Sequence, residues 1–296
     1  MAASFTSPRL RGEGEVRRAT CDRPATTHGD CMNAAAAAPT STMVINGTRI
    51  ELIDRGHGRP ILFLHPHIGL DPSAPVLAML AEGGRLIAPS HPGFGHSERP
   101  AGITTVDDLS YFYLDLMDAL DLRDALVIGV SLGAWIAAAI AVKSTARMMR
   151  LVLGNPVGIK VGDRETRDIL DIFAMLESEF IDKAFADPAA GKRDYRAMTD
   201  DEVTVVARNR EAAALYTWSP YMHDPKLKGR LHRIRIPTLV LWGTADRLVG
   251  EDYGRAFCAA LPDGVFEPLA GAGHFPHIEQ PRAFAMRALA FAKANA

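Results

Sequence analysis

Residues Val127–Trp135 read VIGVSLGAW: an apolar run that looks like a strand covered on both faces meets a serine between two glycines, and an alanine-rich run follows. Gly129-Val130-Ser131-Leu132-Gly133 is a G-x-S-x-G pattern, and the strand before it and helix after it are the setting in which that pattern lifts a hydroxyl clear of a sheet. The chain must reverse tightly there, so the glycines remove side chains that would collide with neighbouring elements. The start of the helix aims free backbone N–H groups at the same point, which suits a developing negative charge. A serine that only caps a helix would leave both glycines unexplained.

Outward from this stretch the chain alternates strand and helix. MVINGTRIELIDRG from Met43 reads as two strands around Asn46-Gly47, a strong hairpin signal. RPILFLH (Arg59–His65) reads as a buried strand, SAPVLAMLAE as a helix capped from Asp71-Pro72, and GRLIAPS (Gly84–Ser90) as another strand. An amphipathic helix is expected over Thr105–Leu120, with Asp107 and Asp108 in its first turn where the helix dipole favours them. DALVIGV, LGAWIAAAIAVKS and MRLVLGNP continue the alternation. Short connections of this kind imply an α/β fold with a mostly parallel central sheet and helices on both faces.

The rhythm breaks over 157–231, where RETRDILDIFAMLESEFIDKAF and DDEVTVVARNREAAALYTW read as charged helices, and it resumes with IPTLVLWG (Ile236–Gly243). The expected organisation is therefore a core of 43–156 and 232–296 with a helical cap, 157–231, inserted into it. Gly158 and Gly162 would serve as its hinge. Residues 1–42 lack periodicity and read as a disordered extension or as residues upstream of the true start.

Composition narrows the function classes. A chain of 296 residues with 48% hydrophobic residues and a net charge of -2 can bury a large core and carries no basic footprint for nucleic acid. No apolar run approaches the roughly 20 residues that cross a bilayer. Three scattered cysteines, Cys21, Cys31 and Cys258, form neither a disulfide framework nor a metal-ligand spacing, so the cytoplasm is the simplest compartment. A small-molecule substrate is the expected partner, no cofactor or metal is expected, and a homo-oligomer is left open.

A serine hydroxyl needs a base, and the base needs a carboxylate to set its tautomer. Among ten histidines, His274 in GAGHFPHIEQP follows a predicted strand in a glycine-rich loop; His277 reads as a packing residue. Asp246 in LVLWGTADRLV ends the preceding strand. Serine, aspartate and histidine in that chain order fit one of the known triad arrangements. The oxyanion donors would be the N–H groups of Leu132 and His67, because Pro66 has none. His65 and His67 lack a third ligand that would make them a metal pair.

With these residues in place, Ile45 to Ala290 resembles the α/β-hydrolase fold family, the serine-nucleophile type whose helical cap follows the sixth core strand. GVSLG resembles its nucleophile elbow, LVLWGTADRLV its acid segment and GAGHFPHIEQP its histidine loop. The resemblance implies Ser131, Asp246 and His274 as catalytic residues. It departs at Pro66, where the family has glycine, and the serine disfavours the aspartyl-ester chemistry of related epoxide and haloalkyl hydrolases. The expected activity is a carboxylic ester hydrolase working through an acyl-enzyme. The alternatives are a cofactor-free haloperoxidase or perhydrolase, a C–C bond hydrolase, and a non-catalytic ligand-binding relative. Trp135, Tyr216, Trp218, Tyr221 and His223 are the expected pocket residues, since Trp and Tyr offer apolar area with one polar atom each.

Overall fold

The structure, a computed structural model, describes residues 1–2, 40–163 and 165–294. The fold concerns the compact unit Ala35–Ala296. Of the expected extension 1–42, residues 3–39 lie outside the described residues, whereas Ser41 and Thr42 already belong to the first strand, paired with Leu52 and Glu51.

In chain order the elements are β1 (Ser41–Ile45), β2 (Thr48–Arg55), β3 (Pro60–Leu64), α1 (Pro75–Ala81), β4 (Arg85–Pro89), α2 (Val106–Ala119), β5 (Ala125–Val130), α3 (Leu132–Lys143) and β6 (Met148–Gly154). There follow α4 (Glu177–Ala184), α5 (Asp200–Thr217), α6 (Leu227–Arg230), β7 (Thr238–Gly243), α7 (Glu251–Ala259), β8 (Gly264–Leu269), α8 (Pro276–Glu279) and α9 (Pro281–Lys293). The strands make one sheet of eight in the order β1-β2-β4-β3-β5-β6-β7-β8. β2 runs antiparallel to both its neighbours, and every other pairing is parallel.

Local chemistry explains the elements. Asn46 (φ 47°) and Gly47 (φ 80°) both take the left-handed conformation that a two-residue hairpin demands. Thr105 and Asp108 form a reciprocal cap at the start of α2. In β3, Ile61 and Phe63 pack toward α1 and α9, while Leu62 and Leu64 pack toward α2 and α3. Burial on both faces is why that strand reads as an unbroken apolar run. α3 is buried from Leu132 to Val142, which matches a helix apolar on every side. α1 starts at Pro75 and not after Asp71, because the Asp71 carboxylate accepts from both the N–H and hydroxyl of Ser73 and holds a turn there.

The large insertion lies between β6 and β7, as the sequence indicates, and carries α4, α5 and α6. One expected helix is much shorter than its pattern suggests: from residue 165 to Leu176 the chain makes turns, and only Glu177–Ala184 is helical. Asp163 Oδ1 accepts from the N–H groups of Glu165 and Thr166, and Asp168 accepts from those of Val161 and Gly162. Such local bonds offer the backbone an alternative to the helix. At the entry, Gly158 (φ 108°) lies against Trp135, whose ring a Cβ there would approach to 2.3 Å.

The insertion is fastened over the C-terminal ends of the strands. The His274 N–H donates to Ala184 C=O (2.6 Å) and the Arg247 N–H to Lys183 C=O (3.0 Å). Glu279 accepts from the N–H groups of Ala186 (2.8 Å), Asp187 (3.0 Å) and Gly273 (2.6 Å). Among the described residues, no helix is long and apolar enough to cross a membrane.

Candidate active site

Ser131 stands between β5 and α3 with φ 53° and ψ -116°, a backbone that a residue with a side chain adopts only under strain. The flanking glycines pack what a side chain would block. A Cβ on Gly133 would lie 2.0 Å from Leu64 C=O, and one on Gly129 would lie 2.3 Å from Gly133 C=O. The turn therefore closes directly onto the end of β3.

His274 Nε2 lies 2.8 Å from Ser131 Oγ, and His274 Nδ1 lies 2.7 Å from Asp246 Oδ2. Asp246 also accepts from the N–H groups of Leu248 (2.9 Å) and Val249 (3.1 Å) and from Asn155 Nδ2 (2.9 Å). An ionised carboxylate only accepts, so His274 carries its proton on Nδ1 and leaves Nε2 to receive the serine hydroxyl. Ser131 and His274 are 0% and 1% exposed, which keeps water from competing for these bonds. The three residues, which follow β5, β7 and β8 in the chain, thus meet above the C-terminal ends of the strands.

Asn155 is a functional residue the sequence reading passed over. It follows β6 with φ 40°, donates to Asp246, and accepts the Gly243 N–H at 2.9 Å. It binds the acid to the strand that delivers it. The available signal was positional, an asparagine at a strand's C-terminal end in the same layer as Ser131 and Asp246.

The loop after β3 is organised by histidines. His65 donates from Nδ1 to Pro66 C=O (2.7 Å), and its Nε2 accepts the His91 N–H (2.9 Å). His91 donates from Nε2 to His65 C=O (2.9 Å) and accepts from the Tyr113 hydroxyl, with the two imidazoles stacked 3.7 Å apart. Burial pushes His65 down to about 4 and His91 well below its usual range, so both rings are neutral. His67 points the other way: its Nδ1 lies 3.3 Å from Ser131 Oγ. Leu132 opens α3, so its N–H has no acceptor within the helix.

Above His67 lies a cavity of ≈100 Å³ between core and insertion. Ile172, Phe173, Phe180 and Phe185 give it an apolar wall, and Asn209, Arg193 and Arg210 bring polar groups. Asn209 also fastens α5 to the core, accepting the Gly95 N–H (2.8 Å) and donating to Ile68 C=O (3.3 Å).

None of the five residues expected to form the pocket lines this cavity. Trp135 is buried against Gly158. Tyr216 stacks on Phe94 and donates its hydroxyl to Pro92 C=O (2.9 Å). Trp218, Tyr221 and His223 border a separate cavity beside Lys160 and Asp168. The Tyr221 hydroxyl is spent on Leu170 C=O and the Ile172 N–H. α5 borders the cavity beside His67 with Val206, Asn209, Arg210 and Ala213.

The chain belongs to the alpha/beta hydrolase family, whose model matches residues 57–288. It is 26% identical over 278 residues to a 2-hydroxymuconate semialdehyde hydrolase of Pseudomonas putida, spanning 86% of this chain and 95% of the relative. A meta-cleavage product hydrolase of Pseudomonas fluorescens shares the fold with a TM-score of 0.66 at 19% identity, over 85% of this chain and 96% of that one. A bromoperoxidase of Bacillus anthracis shares it with a TM-score of 0.68 at 21% identity, over 86% and 100%. A Ser131-His274-Asp246 arrangement in this scaffold is consistent with hydrolytic catalysis.

Proposed function

We propose that this protein is a serine-triad hydrolase that cleaves the carbon–carbon bond beside a ketone in a carboxylate-bearing, otherwise apolar molecule. The observation that carries this reading is the cavity, where two exposed arginines, Arg193 and Arg210, border a largely apolar wall together with His67, the neighbour of Ser131. Arginine pairs well with a carboxylate. A relative named for a semialdehyde hydrolase, matched over 95% of its length, favours the same chemistry over simple ester hydrolysis.

Ser131 Oγ adds to the ketone carbon as its proton passes to His274 Nε2. The oxyanion is held by the Leu132 and His67 N–H groups. The adduct collapses by breaking the bond to the adjacent carbon, which takes the proton from His274. His274 then draws a proton from water, whose oxygen displaces Ser131 and releases the acid. Asp246 stabilises the charged imidazole, and Asn155 keeps the carboxylate aligned. Simple esters pass through the same acylation and are expected as poorer substrates.

The test compares kcat/KM on a ring-fission dienoate, prepared by extradiol cleavage of a catechol and followed by loss of its visible absorbance, with kcat/KM on p-nitrophenyl butyrate. The dienoate is expected to be preferred, and Ser131→Ala to lose turnover of both. Preference for the ester would return the reading to a carboxylesterase.

A further inference from the structure

We propose that the His67 imidazole is itself a catalytic group, a side-chain donor whose Nδ1–H holds the oxygen that becomes negative when Ser131 adds to a carbonyl. This rests on Ser131 as the nucleophile and is independent of which bond is then broken.

Ser131 Oγ lies between two imidazoles, His274 Nε2 at 2.8 Å and His67 Nδ1 at 3.3 Å. The hydroxyl has one hydrogen to give. Asp246 keeps the His274 proton on Nδ1, so Nε2 must accept and the serine hydrogen is committed there. The remaining lone pair of Oγ therefore faces a donor, which makes His67 the Nδ1–H tautomer. A donor at that place cannot deprotonate the serine. In the tetrahedral adduct the former carbonyl oxygen is attached to the carbon that Oγ has joined, which brings it within reach of the same N–H.

The surroundings hold this donor in place. Pro66 has no N–H to offer, and its C=O accepts from His65 Nδ1 (2.7 Å) and from the Gly69 N–H (3.0 Å), which fixes the turn that presents His67. Phe180 of the insertion and Phe275 of the histidine loop flank the ring, with centroids 5.8 and 5.6 Å away. Burial, reinforced by His274 and Arg193, pushes His67 down to about 3. The ring thus stays neutral beside His274 when His274 takes up the serine proton, and adds no second positive charge.

The experiment uses His67→Phe, which keeps an aromatic ring and removes the donor, and His67→Asn, whose Nδ2 can stand where the imidazole Nδ1 stood. With p-nitrophenyl butyrate, kcat is expected to fall about 100-fold in His67→Phe, the usual scale for losing one oxyanion donor, with KM within about threefold. Phenylboronic acid, which forms a tetrahedral adduct on the serine, should lose affinity in parallel, and His67→Asn should recover at least about tenfold of both. In the ¹⁵N-histidine-labelled wild type, the His67 Nδ1–H signal should shift when phenylboronic acid binds. The proposal is overturned if His67→Phe keeps wild-type kcat, if His67→Asn is no better than His67→Phe, or if that signal does not move. Turnover that survives Ser131→Ala would instead overturn the nucleophile assignment.

Discussion

Asn155 and Asp246, 91 positions apart in the chain, meet through a 2.9 Å hydrogen bond from carboxamide to carboxylate, and both are buried. The same asparagine holds the Gly243 N–H, so it joins the ends of β6 and β7 at the height of the triad. Asn155→Ala leaves a buried N–H unpaired and the carboxylate one donor short. A stability loss of about 2–4 kcal/mol is expected in urea unfolding. In the folded variant kcat should fall about 10- to 100-fold, since a hydrogen bond to a charged group contributes about 1.5–3 kcal/mol.

Gly133→Ala would press a methyl group on the carbonyls of Leu64 and His65, at 2.0 and 2.6 Å. Neither carbonyl can retreat without displacing the end of β3 and the loop that carries His67. Destabilisation on the order of 3 kcal/mol is expected from such overpacking. Labelling of Ser131 by a fluorophosphonate should slow in step, which gel fluorescence at equal folded protein would show.

Four buried histidines make the fold sensitive to acid. Burial holds His65 down to about 4, His67 and His277 down to about 3, and His91 well below its usual range. Each is neutral when folded, yet takes a proton below its ordinary value near 6.5 once unfolded. The unfolded chain then binds more protons, so stability is full above pH 6.5 and is lost as pH falls from there toward 4 and 3. Each ring adds up to about 1.4 kcal/mol per pH unit to that slope. His277, packed among Phe63, Phe275 and Phe284 with Nδ1 unpartnered, is the clean test. His277→Phe should reduce the slope of unfolding free energy between pH 6 and 5 by about one proton's worth.

Arg193→Ala and Arg210→Ala should each raise KM for a carboxylate-bearing dienoate about tenfold, the scale of one exposed charge-assisted hydrogen bond. Turnover of the uncharged p-nitrophenyl butyrate should change less than threefold. Equal losses on both substrates would show that the guanidiniums shape the chamber without reading charge.

The elbow, the acid and the histidine were readable because each sits in a local pattern that has one good structural solution. Ser131 between two glycines needs a strand-to-helix reversal, and Asp246 and His274 each lie in the loop after a strand that must align with it. Asn155 was not readable, because between Gly154 and Pro156 it looks like an ordinary turn residue, and only the approach of β7 gives it an acceptor. Which residues border the cavity beside His67 was not readable either. Tyr216, Trp218 and Tyr221 have side chains suited to a pocket, but which side of α5 meets the core is set by Asn209, bonded to Gly95 and Ile68 far away in the chain. The shortened helix before Glu177 reflects aspartates at 163 and 168, whose bonds to nearby N–H groups outweigh helical periodicity.

Because Ser131 has no exposed surface and the roof residue Phe180 leans on His67, every reagent must cross a threshold before it meets the alcohol. The roof is consequently part of the machinery as well as its cover: Phe180 leans on the His67 ring and Ala184 C=O holds the His274 N–H, so a change in the roof reaches the groups around the alcohol too.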